Sequence, residues 1–308
     1  MSKIPFYPGC AVQTSARNYL ISGSAVAKKL GMELVELPKW NCCGVFPYLA
    51  TDDIMRHLAP IRNLIHVQEL DKNGFTQKEN RIVTLCSMCF HTLKESNQFL
   101  KDKEKMENIN NFLQREKEIV GGIKQGYKGE IEVLNFLEIL RDTVGYTKIK
   151  EEVQKPLKNL KVSPYYGCLI LRPREIGIDD PENPTILENI LEAMGADLVD
   201  NPNRTECCGG YHTVNRKDLV AKLTYDNLIY PIRNGADVIV TCCPLCTFNL
   251  DYRQEESRKI HRDLKEIPVL YYTQLMAIAF GLDRKFFGID PGLHNVDPKP
   301  ILKTKNLY

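Results

Sequence analysis

Short apolar runs flanked by polar residues recur along the chain. Glu33-Leu34-Val35-Glu36-Leu37, Arg81-Ile82-Val83-Thr84-Leu85, Glu132-Val133-Leu134 and Asp237-Val238-Ile239-Val240-Thr241 have the length and β-branched content of strands. Longer stretches between them predict helices. These are Ser15 to Leu30, stopped by Gly31; about Thr51 to Leu70, with Gly74 beyond; Pro184 to Met194, before Gly195; and Thr273 to Phe280, before Gly281. Short strands alternating with helices predict an α/β fold with parallel sheets flanked by helices. The charged stretch Lys101 to Glu118 reads as a solvated helix or excursion. The tail from Gly281 to Tyr308, with Pro291, Pro298 and Pro300, reads as a segment that wraps the surface or docks on a partner.

The cysteines divide the chain in two. Cys10, Cys42, Cys43, Cys86 and Cys89 are followed by Cys168, Cys207, Cys208, Cys242, Cys243 and Cys246, and each half reads C…CCG…CxxC. Cys10 and Cys168, Cys42 and Cys207, and Cys86 and Cys243 stand 158, 165 and 157 positions apart. That constancy is the mark of a duplication. Phe6-Tyr7-Pro8-Gly9-Cys10 aligns with Pro164-Tyr165-Tyr166-Gly167-Cys168, and Ile82-Val83-Thr84-Leu85-Cys86 with Ile239-Val240-Thr241-Cys242-Cys243. Cys242 then occupies the place of Leu85 and reads as a small buried apolar residue. Ten thiols remain, in two sets of five. Two pseudo-symmetric units follow, residues 1–155 and 156–308, joined between Gly145 and Leu160, where Lys148-Ile149-Lys150-Glu151-Glu152 and Lys155-Pro156 break the apolar pattern.

In that reading every cysteine group lies after a strand and before a helix. The carboxyl ends of parallel strands are where ligands bind in open α/β sheets, and helix amino termini there stabilise thiolates and anionic groups. A lone CxxC is compatible with zinc, a redox disulfide or chance burial, but two copies of a five-cysteine pattern are specific. A structural zinc ion and a cubane cluster each take four ligands, so five per half leaves one thiolate over. Gly44 and Gly209-Gly210 let the backbone come close to a bulky inorganic group.

Composition narrows the field further. Of 308 residues 43% are apolar, enough for a substantial core, and 41 basic against 39 acidic side chains give a net charge of +2. No positive field is left over for nucleic acid or an acidic membrane. The first residues lack the apolar core of a signal peptide, and no apolar run approaches the roughly 20 residues of a membrane span. A cytoplasmic location is expected, where eleven cysteines are metal ligands or redox groups rather than structural disulfides. The sequence has no C-x2-C-x2-C-x3-C-P run, no G-x-G-x-x-G after a strand and no phosphate-binding loop. Electrons must therefore come from a partner.

The twice-repeated C…CCG…CxxC pattern, from Cys10 to Cys246, resembles the catalytic, B-type subunit of methanogen heterodisulfide reductase, a member of the cysteine-rich CCG-domain family. The first copy departs from it by a longer second gap, 42 residues between Cys43 and Cys86 against 34 between Cys208 and Cys243, which implies an inserted turn around Asp71 to Asn80. The resemblance implies two noncubane [4Fe-4S] clusters. Cys10, Cys42, Cys43, Cys86 and Cys89 would hold one, and Cys168, Cys207, Cys208, Cys243 and Cys246 the other. It implies reduction of the mixed disulfide of coenzyme M and coenzyme B to two thiols. The disulfide would enter between the clusters and each sulfur would be caught by an iron. Implied partners are a ferredoxin-like protein and an electron-bifurcating, flavin-containing protein of the same heterodisulfide reductase complex, with a nickel–iron hydrogenase or formate dehydrogenase. The setting would be methanogenesis.

Other residues carry weaker signals. His212, after Cys207-Cys208-Gly209-Gly210-Tyr211, is placed to donate a proton or hydrogen bond near the second site, or is a loop histidine without a role. His91 is set beside Cys89-Phe90, while His57 and His66 are spaced as structural or surface residues. The implied substrate carries sulfonate, carboxylate and phosphate groups, so cations should line its channel, with Arg172, Arg204, Arg216 and Lys217 near cysteine loops. Three alternatives stay open: an iron–sulfur subunit of another CCG-family oxidoreductase (glycolate or lactate oxidation, succinate:quinone reduction, another disulfide), a zinc scaffold, and a thiol–disulfide exchanger using Cys86-Cys89 and Cys243-Cys246.

Overall fold

The computed structural model describes residues 1–70, 80–120 and 125–308. Asp71 to Glu79, where the inserted turn is expected, lies outside them. The same sheet is built twice. β1 (Ser2–Phe6), β2 (Met32–Glu36), β3 (Arg81–Thr84) and β4 (Glu132–Asn135) form a parallel sheet in the order β2-β1-β3-β4. β5 (Lys161–Tyr165), β6 (Asp197–Leu198), β7 (Val238–Thr241) and β8 (Val269–Tyr271) repeat it as β6-β5-β7-β8. The α/β class is therefore the one observed, and all four apolar runs are strands.

That strand order places the site. From β1 the chain crosses to one side of the sheet and from β3 to the other, so the loops that follow these two strands part and leave a crevice between them. Cys10 lies in α1 (Gly9–Gln13) and Cys86 caps α5, both at the first crevice. Cys168 and Cys243 take the same positions at the second.

The helices cover both faces. In the first half these are α1, α2 (Arg17–Lys29), α3 (Val45–Ala50), α4 (Leu58–Gln68), α5 (Ser87–Phe99), α6 (Lys103–Val120), α7 (Phe136–Glu138) and α8 (Tyr146–Glu151). The second half contributes α9 (Ile186–Ala193), α10 (Lys217–Arg233), α11 (Pro244–Tyr252), α12 (Gln254–Ile260), α13 (Tyr272–Ala279) and α14 (Lys299–Thr304). The four predicted helices and the charged one over Lys101 to Glu118 are present, shorter or shifted by a few residues. One expectation needs correction. Cys168 is not followed by a helix: Pro173, Pro181 and Pro184 withhold backbone donors, and the chain runs in turns to Ile186. α8 occupies the first part of the stretch between the two sheets, with Ile149 buried.

The halves exchange helices. α2 packs on α13 and α8 on α9, so the helix after the first strand of each sheet meets one that follows the last strand of the other. Buried Tyr19 in α2 stacks on Tyr271 at 4.0 Å and donates its hydroxyl to the carbonyls of Leu85 (3.0 Å) and Cys242 (3.3 Å). Those two carbonyls end equivalent strands, so one phenol ties both sheets together at the level of the cysteines. One apolar core runs through both units.

The tail wraps this joint. Asn18 Nδ2 donates to the carbonyl of Leu293, Gln274 Nε2 to those of Phe287 and Gly288, and the buried Asp251 carboxylate accepts the amides of Asn295 (2.7 Å) and Val296 (3.0 Å). Burial pushes the Asp251 pKa up to about 6. The folded protein thus holds this proton more tightly than the unfolded chain, and the stabilisation, full below about pH 4, is lost as pH rises through about 6. Urea titrations of wild type and Asp251→Asn should diverge across that window, the wild type losing about 2–3 kcal/mol more. Parallel curves would show that Asp251 is not what the tail depends on.

Candidate functional site

All five cysteines of the first set, Cys10, Cys42, Cys43, Cys86 and Cys89, line one cavity of about 260 Å³. All five of the second, Cys168, Cys207, Cys208, Cys243 and Cys246, line another of about 90 Å³. Both exceed the roughly 30 Å³ of one water molecule. In the first, Cys10 Sγ stands 3.7 Å from Cys42 Sγ, and Cys43 Sγ 3.6 Å from Cys89 Sγ. All eleven cysteines are free thiols. Among the described residues no three His, Cys, Asp or Glu side chains converge to hold a single metal ion. The thiols instead ring a space, an arrangement that suits a polynuclear group and not one zinc ion.

The loops are tied in the same way in both halves. The buried Tyr7 hydroxyl donates to the carbonyl of Asn41 (2.8 Å), just before Cys42, and Tyr165 donates to the carbonyl of Glu206 (2.6 Å), just before Cys207. Asn63 in α4 donates to the Asn41 carbonyl (3.0 Å), and Asn227 in α10 to that of Cys207 (3.2 Å). Gly44 and Gly209 turn the chain after each CC pair at φ +74° and +77°. Cys86 and Cys243 cap α5 and α11, so the CxxC thiols sit where helix dipoles favour negative charge. Tyr7→Phe leaves the Asn41 carbonyl one donor short and should cost about 1 kcal/mol. Denaturant melts, together with faster loss of metal to a chelator, would register it.

Cys42 and Cys207, the first of each CC pair, are held toward the thiolate, as is Cys243 through the thiols of Cys246 and Cys86. The Cys10 thiol, then Cys43 and the Gly44 amide, hold Cys42 far below the usual thiol range. The Cys168 thiol, then the amides of Gly209 and Gly210 and the nearby His212, bring Cys207 down to about 6 against the cost of burial. The Gly209 amide is 3.3 Å from Cys207 Sγ. Cys242 shows the contrast: burial raises it to about 12 although the Ser87 hydroxyl donates to its sulfur.

The two cavities adjoin. Met88 and Leu245, equivalent residues of the two CxxC motifs, line both. Cys86 and Cys243 meet thiol to thiol across the boundary. α3, from the first half, reaches over both: Phe46 lines the first cavity and Leu49 the second, where Tyr211 joins it. Phe46 and Tyr211 touch at a ring separation of 6.3 Å.

Other predicted residues lie elsewhere. Cys242 is wholly buried between the halves, beside Ser87 and Tyr166, and lines neither cavity. His212 is half-buried, edge-on to Tyr211 at 5.4 Å, outside the cavity lining. His91 is buried and paired with Glu95 at 2.9 Å. Buried His57 stacks on Phe99 and bonds Ser96, and His66 is half-buried. The expected cations are absent from both linings, which contain no lysine, arginine or histidine among the described residues. Arg172 is bound to Glu182 and backbone carbonyls, Arg204 to Glu188 and Asp200, and Arg216 to Asp218. Lys217 is exposed and lines neither cavity. Sequence reasoning missed Phe46, Leu49 and Tyr211. Their one signal was the large apolar residues in Val45-Phe46-Pro47-Tyr48-Leu49 and at Tyr211, downstream of the CCG motifs, where a surface turn would be polar.

A duplicated parallel α/β protein whose strand ends carry two adjoining five-thiol cavities is one class of redox-competent metal scaffold. The cysteine-rich domain CCG matches residues 4–94 and 162–251, and the chain belongs to that family. It is 32% identical over 292 residues, covering 94% of this chain and 95% of the relative, to the 8-methylmenaquinol:fumarate reductase membrane anchor subunit of Wolinella succinogenes. It is 29% identical over 294 residues, covering 94% of this chain and 93% of the relative, to the B-type subunit of the ferredoxin/F420H2-dependent CoB-CoM heterodisulfide reductase of Methanosarcina acetivorans. Among solved structures, a hypothetical protein from Helicobacter pylori shares the fold at a TM-score of 0.71 and 15% identity, over 96% of this chain and 52% of that one. No helix among the described residues is long and apolar enough to cross a membrane.

Proposed function

We propose that this chain is the iron–sulfur subunit of an oxidoreductase complex, with two noncubane [4Fe-4S] clusters. Cys10, Cys42, Cys43, Cys86 and Cys89 would hold one, and Cys168, Cys207, Cys208, Cys243 and Cys246 the other. The observation that carries this reading is the gathering of each five-thiol set around its own cavity, the two cavities sharing a wall. Bound there, such clusters would supply single electrons and iron sites open to a substrate sulfur. The chain's own residues keep Cys42 and Cys207 ionised, hold the loops through Tyr7 and Tyr165, and exclude water with Met88 and Leu245. Substrate bound at the shared wall would face both sites, as a two-electron reaction needs.

The relative from Methanosarcina acetivorans supports reduction of the coenzyme M–coenzyme B disulfide to two thiols. His212, outside the lining but near enough to act on Cys207, would serve as proton or hydrogen-bond donor for the second site. A ferredoxin-like protein and a flavin-containing protein of the same complex, linked to a hydrogenase or formate dehydrogenase, would then bring electrons in the cytoplasm. One observation favours a second substrate: the cavity linings carry no cation to meet a sulfonate, carboxylate or phosphate. A quinol, the substrate in the name of the Wolinella succinogenes relative, needs none.

Iron, acid-labile sulfide and zinc analysis of protein purified without air tests the proposal. About eight irons per chain, and a paramagnetic signal of the oxidised protein that changes on adding thiol or quinol, are expected. One zinc per half in place of iron would overturn it.

A further inference from the structure

We infer that α3 and the turn at Tyr211 form one apolar entrance that serves both cavities and admits an uncharged, ring-bearing apolar ligand. The inference rests on the proposal that the cavities are redox sites, and it assigns what selects the substrate.

Large apolar side chains at a surface need a reason when they cluster around a cavity. Phe46, Leu49 and Tyr211 are 44%, 41% and 41% exposed, yet each also lines a cavity. They come from both halves, and the contact of Phe46 with Tyr211 closes the lip over the boundary where Met88 and Leu245 separate the thiol sets. Val214, 80% exposed, follows Tyr211 closely in the chain, and exposed Ile54 and Met55 follow α3. Two cations near these elements are already engaged. Arg56 lies over the Tyr48 ring and is paired with Asp52, and Arg253 lies over Phe248 and is paired with Glu256. A charged ligand would give up its hydration here without a partner, at a cost that an uncharged ring escapes. Two cavities behind one lip also predict a single ligand per chain.

Titration of heptyl-hydroxyquinoline N-oxide, a fluorescent apolar ring with an alkyl tail, into the iron-loaded protein tests the inference. Saturable quenching with one ligand per chain is expected. Phe46→Ser and Leu49→Ser should each weaken binding about tenfold, as loss of one such apolar contact implies. Iron content and circular dichroism should stay unchanged, since both positions are exposed. Leu49→Lys should weaken this probe and strengthen binding of the anionic coenzyme M–coenzyme B disulfide. Normal iron content with no binding, with two independent sites, or with binding indifferent to all three variants would overturn the entrance and leave the cluster proposal standing. A wild-type protein that takes up no iron would instead overturn the cluster proposal.

Discussion

Cys89→Ala should lower the iron content of the purified protein from the proposed value of about eight to about four atoms per chain, and Cys86→Ala should take it lower still. Both residues line the first cavity, so each deletion removes one proposed ligand from the first set. Their surroundings differ. Cys89 is buried beside Cys43, with its sulfur 3.6 Å from that of its neighbour, wholly within the first half. Cys86 also meets Cys243, a member of the second set. Removing it opens the wall between the cavities, so damage should spread to the second site. Iron and sulfide analysis of both variants reads the difference, with Cys242→Ala as a control, because that thiol lines neither cavity. Equal losses from Cys86→Ala and Cys89→Ala would mean that the sets are independent, and full iron in either would remove that residue from the ligand set.

Gly9→Ala should be nearly as damaging without touching a ligand. Gly9 has φ +71°, and a Cβ there would lie 2.7 Å from Cys89 Sγ; Gly167 repeats this with φ +70° and 2.9 Å to Cys246 Sγ. No real Cβ tolerates either distance, so the thiol or the loop must move. Gly31 separates the two costs, since its φ is +82° but nothing lies within 4 Å of its Cβ position. Gly31→Ala should lose about 1 kcal/mol through backbone strain alone and keep its iron. Gly9→Ala should lose about 1–3 kcal/mol and about half the iron; Gly167→Ala should mirror it on the second site. Thermal melts and iron analysis of the three variants would decide. Gly9→Ala with a full complement of iron would show that Cys89 can shift freely and that the loop is not built to a fixed thiol position.

Much of this was legible in one dimension. Strand runs such as Ile82-Val83-Thr84 and Val238-Ile239-Val240 carry their own β-branched signal, and the duplication is visible because the cysteine offsets barely change. The same offsets marked Cys242 as the residue outside the sets, and the structure buries it apart from both cavities. The five-cysteine sets follow from the repeat as well: residues after equivalent strands of a parallel sheet must come to the same rim. Proline-broken Leu169 to Pro184 shows the limit of that reasoning, since alternation implied a helix after Cys168 that local chemistry forbids.

What only the tertiary structure decided concerns contacts between distant segments. That Cys86 meets Cys243, that Met88 and Leu245 share a wall, and that α3 of one half overhangs the cavity of the other depend on how α2 packs on α13 and α8 on α9. The Tyr7 and Tyr165 clamps escaped notice because a hydroxyl's partner is a carbonyl some forty residues away, which no periodicity records. The arginines misled for the same reason. Proximity to a cysteine in sequence says nothing about which carboxylate claims a guanidinium first, and Glu188, Asp200, Glu182 and Asp218 had claimed them. Local pattern determines elements and repeat because each strand or helix is stabilised by its own residues' geometry. The shape and polarity of a cavity are set by side chains that only packing brings together.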